Sequence, residues 1–437
     1  MNQEPGTDTK QSFDALKDED SAETPSFRSS SDCDSNLRPM VLIHGFMGSG
    51  DSYAKHAQRF SSNGYCLDRI FAFDWNTFDQ ELDSTPILDA FIDQVLSETG
   101  SDQVDLAGHS AGGGLSYQYL EAPERAAKVA HYAHIGSFDF EQSAGPDGAV
   151  PTLHLTSEGD TIVAGDGIIP GATNVRLTEE DHYSVATSAA SFRAIYSHFT
   201  DGETPRTTDI YAEEIAQISG KVLSFGENKP LAGASVEVYE IDPATGRPTS
   251  TDPVAATNTD EEGAWGPISL STGTIYDVKA KSLDEGDINP HYFVGPFKRS
   301  NPFLYLRTLP TNLSLVGLLL ASVPFEREEP VLIVFSNQRA MVAGRDSLEI
   351  QGVEMLTEET APADDTILAL FIYDANENGE SERTAIESFS AIPFLNGIDS
   401  HYPIGDEATI SVDFNGHKLT LPSIPSGSEG PLVVILD

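Results

Sequence analysis

Basic residues are scarce in this chain: Lys and Arg number 25 against 69 Asp and Glu, for a formal net charge of −44. Such a surface repels nucleic-acid phosphates and anionic membranes, which makes both poor partner candidates. Acidity of this degree suits a protein screened by salty water, or is simply a solvated surface; both readings stand. Long apolar runs are missing too, since no stretch reaches the roughly 18–20 residues that span a bilayer. The longest, Leu313 to Val323, is interrupted by Ser314, Gly317 and Ser322 and reads as a buried strand. The first forty residues are rich in Ser, Asp and Glu and hold no apolar leader, so any targeting peptide lies outside this sequence.

Cysteine is nearly absent: only Cys33 and Cys66 occur, each placed just ahead of a strand. Neighbouring parallel strands bring such positions within the roughly 5–6 Å Cα separation of a disulfide, and a bridge is the expectation. It would place the protein outside the cytosol, secreted or surface-tethered. Two separate thiols in a cytoplasmic protein are the alternative.

What is present sorts into segments. Residues 1–36 lack large apolar side chains and read as a disordered acidic tail. From residue 37 to 202, short apolar runs alternate with amphipathic ones. Strands are expected at Met40–His44, Arg69–Phe73, Val104–Ala107, Lys128–Ile135, Pro151–Thr156 and Asn174–Leu177, and helices at Asp51–Ser62, Ile87–Glu98, Ala111–Glu121 and Ser184–Phe199. That alternation predicts an α/β domain, a parallel sheet flanked by helices. A Gly202–Arg206 linker follows, after which period-two patterns take over and the region 210–437 reads as all-β. Two sandwich-like units are expected, over 210–300 and 301–437. The first of them resembles the prealbumin-like sandwiches appended to secreted enzymes.

The chemistry centres on Gly108-His109-Ser110-Ala111-Gly112, a G-x-S-x-G between a strand and a helix. The glycines let a strained turn lift the Ser110 hydroxyl above the sheet, the nucleophile elbow of the α/β-hydrolases. Upstream, Met40–His44 runs into Gly45-Phe46-Met47-Gly48, a loop that in this fold lends an amide to an oxyanion hole. The donors are then Phe46 and Ala111, with Met47 and His109 lining the substrate site and His44 bracing the loop. A serine needs a base and the base an orienting carboxylate, in the chain order serine, acid, histidine. His182, after the last strand, fits the base, and Asp160, in the loop past Pro151–Thr156, fits the acid. Asp139 is the rival acid. His131, His134 and His154 fall inside strands and read as structural.

With these residues placed, the chain resembles the archaeal two-domain long-chain lipases from about Arg38 to its C-terminus. The likeness lies in Gln103–Ser110, Glu124–His131, Thr207-Thr208-Asp209-Ile210 and Gly295-Pro296-Phe297. It implies a small hydrolase domain followed by a β domain that binds lipid or substrate, acting on acyl esters or glycerides. Two departures stand out. The place that holds the family's acid is Gly136 here, and the long helical lid is reduced to about a dozen residues, Trp75 to Pro86. So short a segment predicts an uncovered groove and little interfacial activation.

Asp374-Ala375-Asn376-Glu377-Asn378-Gly379 matches the start of a calcium loop, but position twelve is Ala385 rather than Glu, which favours a polar hairpin tip over an ion site. No metal or other cofactor is expected. The reading is thus a serine carboxylic ester hydrolase. Acyl transfer, or a lipid- or polymer-binding protein with a vestigial hydrolase half, are the alternatives, and the sequence is silent on oligomeric state.

Overall fold

A computed structural model describes residues 33–79, 81–163, 167–283, 287–310 and 314–436. The expected disordered tail over 1–36 therefore lies outside the described residues except for its last four.

The α/β half is built on six parallel strands: β1 (Met40–Ile43), β2 (Ile70–Phe73), β3 (Val104–His109), β4 (Val129–Ile135), β5 (Thr152–Ser157) and β6 (Thr173–Leu177). They stand in the order β2-β1-β3-β4-β5-β6. Every residue of β1, β3 and β5 is buried, as the central strands of a sheet covered by helices on both faces are, the polar Asp105, His109, Thr152, His154, Thr156 and Ser157 included. The helices are α1 (Ala54–Ser62), α2 (Thr85–Thr99), α3 (Ala111–Leu120) and, toward the end of the domain, Ala189–Phe199. The expected single helix Ser184–Phe199 is two pieces. Ser188 turns extended and caps the second, its hydroxyl accepting from the Ser191 amide. The disulfide forms: Cys33 and Cys66 are bonded, with Cα atoms 4.9 Å apart. No described helix is long and apolar enough to cross a membrane.

The β half is layered differently from the two separate sandwiches expected. Its middle is one eight-stranded sheet, ordered Leu395–Asp399, Ala369–Tyr373, Leu332–Ser336, Leu432–Leu436, His291–Val294, Tyr276–Lys281, Ser235–Glu240, Ala255–Asn258. The boundary drawn at residue 300 thus divides strands that share this sheet. Successive side chains of a strand point to opposite faces, and here both faces are covered. Ile333, Phe371 and Val433 join the core against the sheet that contains Ile215–Ser224. Their neighbours Leu332, Ile372 and Val434 join the core against the sheet that contains Thr409–Phe414. Two-sided burial is why Leu332–Ser336, Ala369–Tyr373 and Leu432–Leu436 are almost wholly apolar.

Two further readings are corrected. The apolar run after Ser314 is a short helix, Leu315–Leu319, because the Ser314 hydroxyl caps it by accepting from the Gly317 amide. The stretch Leu348–Val353, which alternates in the β manner and reads as one strand, breaks into Leu348–Ile350 and Val353–Glu354, turned by Gln351 and Gly352 at positive φ.

The two halves are bolted together through polar groups. Arg299, 2% exposed, donates to the Ser61 hydroxyl and carbonyl at the end of α1. Lys221 and Tyr305 both reach the Asp74 carboxylate just past β2, at 2.7 and 3.0 Å. Leu223, Phe303 and Tyr305 complete the apolar core under β1 and β2.

Candidate active site

Ser110 sits between β3 and α3 with φ 52° and ψ −120°, a left-handed backbone costly to any residue but glycine. Neighbouring glycines make room for it. A Cβ on Gly108 would stand 2.5 Å from the Gly112 carbonyl oxygen, and one on Gly112 would stand 2.6 Å from the Ile43 and His44 carbonyls. The Ser110 amide donates to Ile135 of β4 at 2.9 Å, and the Ser137 hydroxyl donates to the Ser110 carbonyl at 2.8 Å.

The structure brings the three expected residues together. Ser110 Oγ lies 3.0 Å from His182 Nε2, and His182 Nδ1 lies 2.8 Å from Asp160 Oδ2. His182 is 2% and Asp160 6% exposed. The other Asp160 oxygen accepts from the amides of Ile162 and Val163, both at 2.9 Å. Burial would raise the Asp160 carboxyl, but the His182 hydrogen bond, the His182 charge and these amides outweigh it, and the net shift is downward. Asp139 stands elsewhere, its carboxylate 3.5 Å from His154 Nε2. A Cβ on Gly136 would lie 3.4 Å from Asp160 Oδ2, an ordinary contact distance, so position 136 and Asp160 border the same point. Two strands can deliver a carboxylate to one point, and this chain uses β5 instead of β4.

His109 is pocket-lining as expected, and it also fastens the His182 loop: its Nε2 and the His182 carbonyl are 2.7 Å apart. Burial, ahead of the neighbouring His182 charge, pushes His109 down to about 3, so its ring is neutral and Nε2–H donates. Asp181 braces the same loop, accepting from the amides of Tyr183 and Ser184 with one oxygen and from Ala340 of the β half with the other.

Phe46 and Met47 line the pocket, and Ala111 opens α3, where the first amides of a helix have no partner within it. The loop presses against the serine: a Cβ on Gly45 would stand 2.9 Å from Ser110 Cβ. His44 has the bracing role expected. Its Nε2 faces the amide of Trp75 at 3.2 Å and its Nδ1 faces the Gly45 carbonyl at 2.8 Å, so Nδ1 carries the proton. Sequence reasoning missed Asn228, whose amide nitrogen donates to the carbonyls of Gly48 at 2.8 Å and Trp75 at 3.1 Å. It missed Arg307 too, which pairs with Asp51 at 2.6 Å on the pocket wall.

The uncovered groove is a second correction. The pocket over Ser110 holds about 100 Å³, and its far wall comes from the β half: Phe335, Leu368, Phe394, Leu395 and Ile435. The Phe394 ring lies parallel to His182, tilted by only 9° with centroids 6.4 Å apart. Cover comes from residues more than two hundred positions after Ser110, while in the short segment expected as a reduced lid Phe78 packs edge-on to Phe46 at 5.1 Å.

The stretch with calcium-loop spacing is not a hairpin tip, since the strands on either side of it, Ala369–Tyr373 and Leu395–Asp399, run parallel. Asp374 accepts from the loop's own amides at Asn378 and Gly379, and Asn376 Oδ1 also accepts from Asn378. Among the described residues no group of three or more His, Cys, Asp or Glu is arranged to hold a metal.

Comparison with known proteins divides along the same lines. Residues 38–151 match the family model of the alpha/beta hydrolase fold, residues 214–310 that of the lipase C-terminal domain, and residues 334–425 that of a further C-terminal domain. Similar solved structures include a carboxylesterase from Bacillus subtilis, at 14% identity over 39% of this chain and 86% of that one, with a TM-score of 0.30. A Bacillus licheniformis lipase matches at 16% identity, over 35% and 88%, with a TM-score of 0.28. A predicted hydrolase from Thermoplasma acidophilum matches at 16%, over 38% and 87%, again at 0.28. The family models follow one another along the chain in the order that the sequence resemblance suggested, a hydrolase-fold region first and a lipase C-terminal domain after it.

Proposed function

We propose that this chain, an α/β hydrolase with a lipase C-terminal domain, is a serine carboxylic ester hydrolase in which Ser110, His182 and Asp160 act as nucleophile, base and orienting acid. The observation that carries the reading is the unbroken hydrogen-bonded line from Ser110 Oγ through the His182 ring to Asp160. Ser110 Oγ attacks the ester carbonyl as His182 Nε2 takes its proton. The oxyanion that forms is held by the amides of Phe46 and Ala111. Collapse breaks the bond to the alcohol, which leaves with the proton from His182 and an acyl group on Ser110. Water, deprotonated by His182 in turn, then releases the carboxylic acid. Asp160, ionised and held by two amides, fixes the histidine with Nδ1 protonated and Nε2 facing the serine.

The apolar lining of Phe46, Met47, Phe335, Leu368 and Phe394 suits an aliphatic acyl group. A volume of about 100 Å³ favours short chains unless the β-half wall shifts. The Cys33–Cys66 disulfide supports a site of action outside the cytosol. The test is hydrolysis of p-nitrophenyl esters from acetate to palmitate by the wild type beside Ser110→Ala. The wild type hydrolyses the shorter esters and Ser110→Ala loses activity by roughly 10⁵–10⁶-fold in kcat. Equal rates in the two proteins would defeat the reading.

A further inference from the structure

The loop that carries His182, between β6 and the helical turn Ser184–Thr187, is held from both halves of the molecule. From the hydrolase half, Asp160 meets the His182 ring and the His109 ring meets the His182 carbonyl. From the β half comes the segment 337–346, between Leu332–Ser336 and Leu348–Ile350. The Ala340 amide donates to Asp181 Oδ2 at 3.0 Å, and the Thr187 hydroxyl donates to the Gln338 carbonyl.

Asp181, itself buried, divides its two oxygens between two tasks. Oδ1 accepts from the amides of Tyr183 and Ser184, at 3.0 and 2.8 Å, and so shapes the turn just after His182. Oδ2 finds its partners in the β half: the Ala340 amide and, at 3.7 Å, the Arg345 guanidinium. Without Ala340 that oxygen would keep only the more distant cation, and a buried acceptor left short of a donor is costly.

Segment 337–346 is a firm anchor. Met341 is buried in the β core and its amide donates to the Ile367 carbonyl at 2.8 Å, while the Ala343 amide donates to the Ala361 carbonyl at 2.8 Å. The buried Asp346 carboxylate accepts from Arg339, Arg345 and the Val342 amide, and Arg345 also donates to the Ala340 carbonyl. Next to Ile367 is Leu368, whose amide donates to the Phe394 carbonyl at 2.8 Å, and both of these line the pocket over Ser110. One tied piece of the β half thus carries the pocket wall and the donor that Asp181 meets.

We propose that Asp181 is a positioning residue through which the β half fixes where the base stands. The Ala340–Asp181 bond keeps His182 Nε2 at its 3.0 Å from Ser110 Oγ, so turnover depends on a contact made outside the hydrolase half. The inference rests on the hydrolase reading of Ser110 and His182. Asp181→Asn is the probe. Its oxygen still accepts from Tyr183 and Ser184, whereas its NH2 group meets the Ala340 amide donor to donor. The turn keeps its cap and the tie to the β half is lost.

Full-length wild type and Asp181→Asn are compared in kinetics on p-nitrophenyl butyrate and in the rate and final stoichiometry of fluorophosphonate labelling. The variant takes one label per chain, as the wild type does, but at least about tenfold more slowly, within the loss of roughly a hundredfold that a 1 Å misplacement can cause. Its kcat falls by the same factor with KM unchanged. An end point of one label means that every molecule is folded, so slower labelling reads the placement of the base and not a loss of fold. If Asp181→Asn does not fold, Arg345→Gln, which frees the Ala340 carbonyl, takes its place and shows the same change to a smaller extent. Wild-type kcat and labelling rate in the variant, a lowered melting temperature without a lowered kcat, or a loss confined to KM would overturn this inference and leave the hydrolase reading intact. A wild type that neither hydrolyses the ester nor takes the label overturns both.

Discussion

The Asp160 carboxylate stands 3.4 Å from the point where a side chain on Gly136 would begin. Position 136 follows β4 and Asp160 follows β5, so the ends of two neighbouring strands border the same point beside His182. With the acid on Asp160, Asp160→Asn removes the charge that holds the histidine tautomer and lowers kcat by about 10⁴-fold. Asp139→Asn, whose carboxylate faces His154, stays close to wild type. Steady-state kinetics on p-nitrophenyl butyrate separates the two.

Stability falls with acid earlier than carboxylates alone would cause. Burial lowers His109 and His134 to about 3, and His198 to about 4. Each is neutral in the folded protein and takes a proton at about 6.5 once unfolded. Between those values the unfolded state binds more protons, so stability rises with pH there. The contribution is present above about pH 6.5 and is lost as pH falls toward 3–4, by about 1.4 kcal/mol per pH unit for each group. Urea unfolding at pH 7.0, 6.0 and 5.0 checks this: a steady fall in the midpoint is expected, and an unchanged midpoint would refute it.

Phe394 sets the depth of the pocket. Phe394→Ala removes the ring over His182 and enlarges the roof, raising the octanoate-to-butyrate ratio of kcat/KM by at least about tenfold, in line with what one hydrophobic contact contributes to discrimination. A ratio unchanged from wild type would mean that the acyl chain runs elsewhere.

Asn228 ties the Gly45–Gly48 loop, whose Phe46 amide the proposed mechanism uses, to the β half. Asn228→Ala strips donors from the half-buried carbonyls of Gly48 and Trp75, costing roughly 0.5–1.5 kcal/mol of stability for each bond, and it loosens Phe46, so kcat falls while KM changes little. Thermal unfolding with parallel kinetics tests both parts, and a normal kcat with lowered stability would confine Asn228 to a structural role.

These residues also show what was legible beforehand. Ser110, His182 and Asp160 could be read because each hangs on a local signal: a Gly-bounded elbow, or a polar residue in the loop after an expected strand. The parallel sheet was legible for the same reason, its strands being apolar runs spaced by amphipathic helices. Phe394, Asn228 and Arg307 could not be found this way. Each reaches the hydrolase half only through packing of segments far apart in sequence, and none carries a spacing that marks it. The shared eight-stranded sheet was hidden likewise, because Leu432–Leu436 inserts between strands from both expected units, and pairing across the whole chain leaves no local pattern.

The central claim is that Ser110 is a nucleophile activated by His182. Intact-protein mass spectrometry after exposure to a fluorophosphonate tests it directly, because the reagent bonds only to an activated hydroxyl. One adduct per chain, mapped to Ser110 and lost in His182→Ala, is the predicted result. No adduct on the wild type, or an adduct at another residue with Ser110 unmodified, would contradict it.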